Sequence, residues 1–454
     1  MPKIGLEIHG YLDVKEKLFC RCKAIHGIKF AKANTNICPI CTSQPGAKPL
    51  LPNKTAVEKA IQISVILGCK INPELIWQRK HYNWPDLPKG YQSTISGTYA
   101  FPVGVKGKFL GIRITEAHLE EDPAAWNPET GEIDYNKSGS PLIEIVTEPD
   151  FTSSEQATEW LKQLNATLKY MKAIDKNLGI KADVNISLPE KKGERVEIKN
   201  INSLSNVKSA LDYEIRRQMK EGQKTRETRM FDENKGVTIK MRSKELAEDY
   251  RFITEPDLPA IKIISSRIGK IKKSLPEMPH EKVRKIIKKY KIEKKHAKIL
   301  TKNIELAEFF EKIVSKINPK IAVYWVTGEL LRVLNYAKKE LHEVEINPEH
   351  FIELIEMVEE NILTGLKAKE ILNKFIPKSF SPRKEIKKHT RISSEKEIEK
   401  QVDLVIKESQ KAVSDFKSGN ENALNFLIGK VMEKTQKRAD YKTAKEILEK
   451  KLKK

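Results

Sequence analysis

The chain begins with a run in which apolar and polar residues alternate. In KIGLEIHG, Lys3 to Gly10, the aliphatic Ile4, Leu6 and Ile8 fall on one side and Gly5, Glu7 and His9 on the other. Residues two apart on an extended chain share a face, so this run predicts a strand with an aliphatic side and a side carrying an acid and an imidazole. The same reading predicts strands over 3–12, 108–120, 142–147, 182–188 and 195–199. Helical periodicity interrupts them over 56–67 and 154–171. Short strands, Gly/Pro turns and few helices are the signature of an α+β domain.

The texture changes at SLPEMPHEK, Ser274 to Lys282, where two prolines three apart precede long helical periodicity. Beyond it Ile321, Val323, Trp325 and Leu330 to Leu334 pattern as packed helices. A second break lies in the polar, basic and proline-punctuated stretch Ile376 to Glu397. There Ser394 and Glu397 have capping-box spacing for a helix carrying Ile398, Val402 and Val405 on one stripe. Leu424, Leu427, Ile428, Val431 and Met432 form another stripe. The predicted division is an α+β domain over 1–277, a helical domain over 278–393 and a small helical tail over 394–454.

Composition adds a partner and a compartment. No apolar run approaches the roughly 18 residues that span a bilayer, and the first residues lack the apolar core of a signal peptide. The expectation is a cytoplasmic protein with no membrane partner. The net charge of +22 points to a polyanion. It is uneven: residues 1–277 carry 44 basic against 35 acidic side chains, net +9, and the shorter remainder 40 against 27, net +13. A lysine-rich, thermally adapted surface is the alternative origin of that surplus.

Four of the five cysteines cluster as LFCRC, with Cys20 and Cys22, and ICPIC, with Cys38 and Cys41. Two close pairs separated by 15 residues have the arithmetic of a four-thiolate zinc site. A zinc deaminase is excluded, because HLE and CPIC occur in the wrong order and Ile37 stands where that motif needs proline. Cys69, alone in IQISVILGC, reads as a core thiol on the apolar side of a helix.

The polar face of the first strand has company. In GIRITEAHLEED, Gly111 to Asp122, the residues Glu116, His118 and Glu120 share one side, with Glu121 and Asp122 at its end. ADVNIS presents Asp183 and Asn185, and RVEIKN presents Glu197 and Lys199. Close carboxylates raise one another's pKa unless a cation sits among them, and oxygen ligands with one imidazole suit Mg²⁺ or Mn²⁺. The pattern predicts a metal-dependent phosphoryl-transfer site built on a sheet. WQRKHYNWPDLPKGYQ, Trp77 to Gln92, interleaves Arg79, Lys80 and Lys89 with Tyr82, Trp84 and Tyr91. Such a mixture can hold a nucleotide or an unstacked RNA end, or simply anchor a long loop. There is no P-loop and no G-x-G-x-x-G, so ATP phosphates would be held some other way. KMRSK, Lys240 to Lys244, is a chance likeness to a synthetase loop, because the matching histidine-glycine signature is missing.

The ordered segments GLEIH, KLFCRC, ANTNICPIC, PDLPKGYQ, HLEED, PLIEIVTEPD, RVEIKNINS, GELLRVLN and ALNFLIGKVM closely resemble GatB, the B subunit of the tRNA-dependent amidotransferase, from Ile4 to Leu452. The resemblance implies a cradle-shaped, mixed-sheet α+β catalytic domain, a helical domain and a tail related to YqeY proteins. It implies a ligase that uses ATP to phosphorylate the side-chain carboxylate of Asp or Glu on mischarged tRNA(Asn) or tRNA(Gln). Ammonia from a GatA-type amidase subunit then replaces the phosphate, with a small GatC-type subunit completing a heterotrimer. It implies catalytic roles for Glu7, His9, Glu120 and Glu121, and a Mg²⁺ set of Glu7, His9, Glu121, Asp183 and Glu197. Lys80, Tyr82, Asp86, Lys89, Asn185 and Lys199 would line the ATP and aminoacyl end, Cys20, Cys22, Cys38 and Cys41 would hold Zn²⁺, and the basic tail would grip tRNA. KTQKRAD lacks a glycine common in the family, and Lys181 and Ala182 stand where many members carry Arg and Cys. The competing reading is a non-catalytic, zinc-stabilised tRNA-binding scaffold. Carboxylates on four strands weigh against it, because an RNA binder has no reason to gather negative charge beside its ligand.

Overall fold

The alternating segments enter one sheet. A computed structural model describes residues 1–24, 32–191, 193–201, 203–243, 250–384, 392 and 394–452. Of the segments singled out above, Lys244 of KMRSK, Asn202 of RVEIKNINS and part of 376–397 lie outside the described residues. By its contacts the chain divides into two units, Met1–Met278 and Pro279–Lys454.

The first half of the first unit contains β1 (Lys3–Tyr11), α1 (Lys54–Ile66), β2 (Lys70–Ile71), β3 (Glu74–Leu75), β4 (Gln78–His81), β5 (Gln92–Thr94), β6 (Gly104–Phe109), β7 (Ile112–Glu121), β8 (Ala125–Trp126) and β9 (Ile133–Asp134). It continues with β10 (Pro141–Thr147), α2 (Ser154–Tyr170), β11 (Ile180–Ser187), β12 (Val196–Lys199), α3 (Leu204–Glu221), β13 (Glu227–Asp232), β14 (Val237–Ser243), β15 (Arg251–Thr254), β16 (Ile261–Lys262) and α4 (Ser265–Ser274). Twelve strands form one sheet in the order β14-β13-β12-β11-β1-β10-β7-β5-β4-β15, with β6 also on β7 and β2 beside β6. The β12–β13 pair is parallel. The strands around β1 are antiparallel, with Leu6 opposite Val184 and Ile8 between Ala182 and Ile145. These five side chains are all buried, so the aliphatic half of the alternation is the core face. Helix α1 lies on β6 and β7, α3 on β11 and β14, and α2 along α3. The indole of Trp160 on α2 meets Phe109 and Phe151 edge-on and donates to the Phe109 carbonyl at 2.9 Å.

Two local readings are corrected. The strand expected over 108–120 is a hairpin: Phe109 pairs with Ile112 across Leu110 and Gly111, both at positive φ. Such a two-residue turn follows the twist of its strands, and the apolar alternation runs on through it. Cys69 is not on a helix but in the turn after α1, wedged against β6.

Among the described residues the second unit is built of helices: α5 (Pro279–Tyr290), α6 (Lys294–Leu300), α7 (Ile304–Ile313), α8 (Pro319–Val323), α9 (Leu331–Tyr336), α10 (Pro348–Glu359), α11 (Gly365–Asn373), α12 (Glu395–Glu408), α13 (Gln410–Lys417), α14 (Asn422–Lys434) and α15 (Tyr441–Leu452), with isolated bridges between Glu345 and Lys378 and between Ile392 and Ala439. A π-helical stretch, Tyr324–Leu330, joins α8 to α9. Two apolar clusters fill the unit, one around Phe310, Trp325, Phe351 and Phe375, the other around Val402, Leu427, Val431 and Leu448. The Thr364 hydroxyl donates to the Lys437 carbonyl at 2.5 Å. Gln436 and Lys437 both adopt positive φ, a backbone conformation that glycine takes up without steric cost. The expected capping box at α12 does not form: Ser394 makes no side-chain cap bond, and Glu397 N–H reaches its carbonyl instead.

The turn after α1 approaches β6 too closely for a side chain at Gly107. A Cβ at Gly107 would lie 2.5 Å from Cys69 Sγ and 2.7 Å from the Leu67 carbonyl oxygen. Gly107→Ala is expected to lower unfolding free energy by about 1–3 kcal/mol, measured by denaturant titration.

Candidate functional site

The register of the central strands assembles the site. His9 on β1 pairs with Glu144 on β10, and Glu144 pairs with His118 on β7. One carboxylate oxygen, Glu144 Oε2, lies 3.3 Å from His9 Nε2 and 3.4 Å from His118 Nε2. Glu120, two residues beyond His118, brings Oε2 to 3.8 Å from the same imidazole nitrogen. His118 Nδ1 is 3.1 Å from Glu116, which also accepts from Ser96 at 2.5 Å. On the other side of β1, Glu7 stands opposite Asp183 and accepts from Asn185 Nδ2 at 2.9 Å. Glu197 pairs with Asn185 and lies 3.3 Å from Lys199.

Among the described residues, His9, Glu120 and Glu144 converge so that one ligand atom from each lies within 4.8 Å of the others. His9 and Glu120 open onto a cavity of about 310 Å³, which Tyr11, Gln92, Lys181 and Asp183 also line. Burial works against charge on His9, but its bond to Glu144 and the fields of Glu120 and Asp183 raise its pKa to about 9. His118 is likewise penalised by burial, yet Glu144, Glu116 and Glu120 raise it well above the ordinary imidazole value. Burial alone would raise Glu144, and the two imidazoles instead pull it well down. Asp183 is raised, by burial first and then by Glu7 and Glu197, with His9 and Lys199 offsetting part. Burial opposes charge on Lys199, but Glu197, Asp183 and Glu7 raise it.

Of the expected metal set, Glu7, His9, Asp183 and Glu197 thus share one face. Glu121 does not. Successive strand residues point to opposite faces, and Glu121 turns away from Glu120 to accept from Lys89 and, at 2.9 Å, from the Ser93 N–H. Glu144 is absent from the set expected on sequence grounds, although a single acid among the aliphatics of PLIEIV is a visible signal.

The aromatic and basic loop is ordered by ring contacts. Arg79 chelates Glu255 through Nε and Nη2 at 2.9 and 2.7 Å and lies over Tyr91. Lys80 lies over the Tyr250 ring at 4.8 Å, and Tyr82 meets that ring edge-on. Burial, then the fields of Asp86 and Glu120, raise the Tyr82 phenol. Asp86, raised by burial, keeps Oδ1 buried without a hydrogen-bond partner. Lys89 is held by Glu121, by Ser93 Oγ at 2.9 Å and over the Tyr91 ring.

The four cysteines come together, with one sulfur from each within 4.8 Å of the rest. Cys20 and Cys41 are buried. The Cys20 thiol donates to Cys41, and against the cost of burial the Cys38 N–H and the Lys17 ammonium help pull Cys41 down to about 5. Four converging sulfurs suit a soft tetrahedral ion, and the imidazole with two carboxylates suits a harder one.

A mixed sheet carrying clustered acids and a cysteine cluster, in a chain whose second unit is helical, makes this an α+β protein with two groups able to hold metal ions. Residues 2–269 match the GatB/GatE catalytic domain and residues 308–452 the GatB domain. The chain belongs to the GatB family. It is 44% identical over 470 residues to the B subunit of the aspartyl/glutamyl-tRNA(Asn/Gln) amidotransferase of Methanocaldococcus jannaschii, covering 99% of this chain and 98% of that one. The protein of the same name from Methanothermobacter thermautotrophicus is 43% identical, covering 99% of this chain and all of the relative. That from Methanopyrus kandleri is 42% identical, with 99% and 98% covered.

A metal ion takes the neutral imidazole, so cation binding at His9 must displace a proton that is otherwise held up to about pH 9. Mn²⁺ affinity is expected to rise about tenfold between pH 7 and 8, read by calorimetric titration, and a flat profile would exclude His9 as a ligand. In the absence of metal the sign reverses: the His9–Glu144 pair stabilises the fold below the ordinary imidazole pKa, and that contribution is lost as pH passes about 9.

Proposed function

We propose that this chain is the subunit of a tRNA-dependent amidotransferase that activates and amidates the aminoacyl carboxylate, with Asp on tRNA(Asn) or Glu on tRNA(Gln) as substrates. The observation that carries the reading is the convergence of His9, Glu120 and Glu144 on a sheet face that opens into a cavity. A free carboxylate is a poor acyl donor, and phosphorylation by ATP gives it a leaving group that ammonia can displace. A Mg²⁺ ion held by His9, Glu120 and Glu144 would neutralise charge on the phosphoryl oxygens during transfer.

The chain's own side chains do the rest. Glu7, Asp183 and Glu197 form a second oxygen-rich group beside the first, tempered by Lys199 and braced by Asn185. Lys80, Tyr82, within the field of Glu120, and the unpartnered Asp86 oxygen are candidates to orient ATP or the aminoacyl end. Lys89 and Glu121, on the reverse of the same strand end, hold that loop to the sheet. Zn²⁺ at the four cysteines has a structural role in this reading, because all four converging donors are sulfurs.

The basic surplus of the second unit supports a role in holding the tRNA backbone, and its two apolar clusters support a helical domain and a separate tail with a boundary near residue 393. The relatives' names, which designate one subunit of an amidotransferase, support a multi-subunit enzyme, with a GatA-type amidase supplying ammonia and a GatC-type subunit completing it. Among the described residues no helix is long and apolar enough to cross a membrane; the cytoplasm is the compartment this reading assigns.

Glu144→Gln removes one charge from the converging group at nearly constant shape. In the reconstituted complex it is expected to lower ATP-dependent phosphorylation of mischarged tRNA by about 100-fold or more while tRNA affinity stays unchanged. Undiminished phosphorylation would leave only the scaffold reading.

A further inference from the structure

The cysteine cluster sits against a charge that the proposed reaction does not use. Lys17, just before LFCRC, is among the largest fully buried side chains, at 1% exposure. Its ammonium has three acceptors: Cys41 Sγ at 3.5 Å, the Asn36 carbonyl at 3.1 Å and the Tyr135 carbonyl at 3.3 Å. Among the described residues no carboxylate pairs with it. The Lys17 stem and the Glu121 carboxylate both border Gly139, but Glu121 is taken by Lys89, and the adjacent Asp122 by Lys137 at 3.1 Å.

A buried cation is held only where a counter-charge or a full set of acceptors meets it. Two neutral carbonyls supply part of that set, and among the described residues the bonded acceptor of the ammonium that can carry full negative charge is Cys41 of the sulfur cluster. The cluster has the complementary surplus: four cysteinates around one divalent ion leave two negative charges uncompensated in a partly buried site. Hydrogen bonds from outside the ligand set are how such sites are tuned, and here the Cys38 N–H reaches Cys41 Sγ at 3.2 Å beside the lysine.

We infer that Lys17 is the built-in counter-ion of an anionic metal–tetrathiolate centre, neutralising part of its charge through Cys41. The inference rests on reading the four cysteines as a divalent-metal site. It also gives the centre a structural reach. The same ammonium ties together the segment before the second cysteine pair, through Asn36, and the turn before β10, through Tyr135. That turn continues into Gly139, whose wall is shared by Cys41, Lys17 and Glu121. Loss of the ion would strand the lysine's charge and loosen this side of the strand end.

The test uses the full chain. Metal content is measured by elemental analysis, and zinc release to a chromogenic chelator is followed for the native protein and for Lys17→Met, Lys17→Gln and Lys17→Arg. Lys17→Met keeps the length of the stem without charge, and Lys17→Gln keeps donors for the two carbonyls without charge. Both are expected to release zinc at least about tenfold faster than the native chain, with Lys17→Arg close to native. Should Lys17→Met fail to fold, Lys17→Gln against Lys17→Arg decides the matter. Native release rates in folded Lys17→Gln would overturn the role of Lys17 alone. A native protein that binds no divalent metal would instead overturn the metal reading of the cysteines.

Discussion

The bonding of Glu144 between two imidazoles is the interaction on which the site depends. A carboxylate at the centre of a sheet is tolerated there because His9 and His118 approach one of its oxygens from the two neighbouring strands. That placement requires the β1–β10–β7 register to be held to the residue, since a slip of one position would turn every one of these side chains to the opposite face. The force that prevents the slip is on the reverse of the same strands. Ile4, Leu6 and Ile8 are buried together with Val184, Ala182 and Ile145, and they could not stay buried in any neighbouring register. The core face and the acidic face are therefore one specification read from two sides.

The same alternation separates two acids that are adjacent in the chain. Glu120 joins His9 and Glu144 over the cavity, and Glu121 closes with Lys89 on the other side, near Gly139 and the cysteine cluster. The end of β7 thus serves two environments at once. One is rich in oxygen ligands and imidazole. The other is an ion pair backed by sulfur and a buried lysine. Adjacent acids in HLEED are consequently unequal in chemistry, because successive strand residues face opposite sides.

Charge is divided on a larger scale as well. The oxygen-rich face belongs to the first unit, and the larger basic surplus belongs to the helical second unit, where lysines cover the outside of two apolar cores. A surface that gathers carboxylates repels a polyanion unless cations intervene.

Much of this was legible in one dimension. Period-two alternation located β1, β10, β11 and β12 and assigned Glu7, His9, Asp183, Asn185, Glu197 and Lys199 to a polar face, because side-chain direction in a strand follows from covalent geometry alone. Cysteine spacing anticipated that four sulfurs would meet, and helical stripes anticipated both cores of the second unit. What the chain could not reveal by itself was adjacency. Which strand lies beside which, and in what register, is decided by burial of side chains far apart in sequence. Glu144 therefore entered the site, Glu121 left it and Lys17 found the sulfur of Cys41 only when the sheet closed around them. Periodicity says which way a residue faces; only packing says what it meets there.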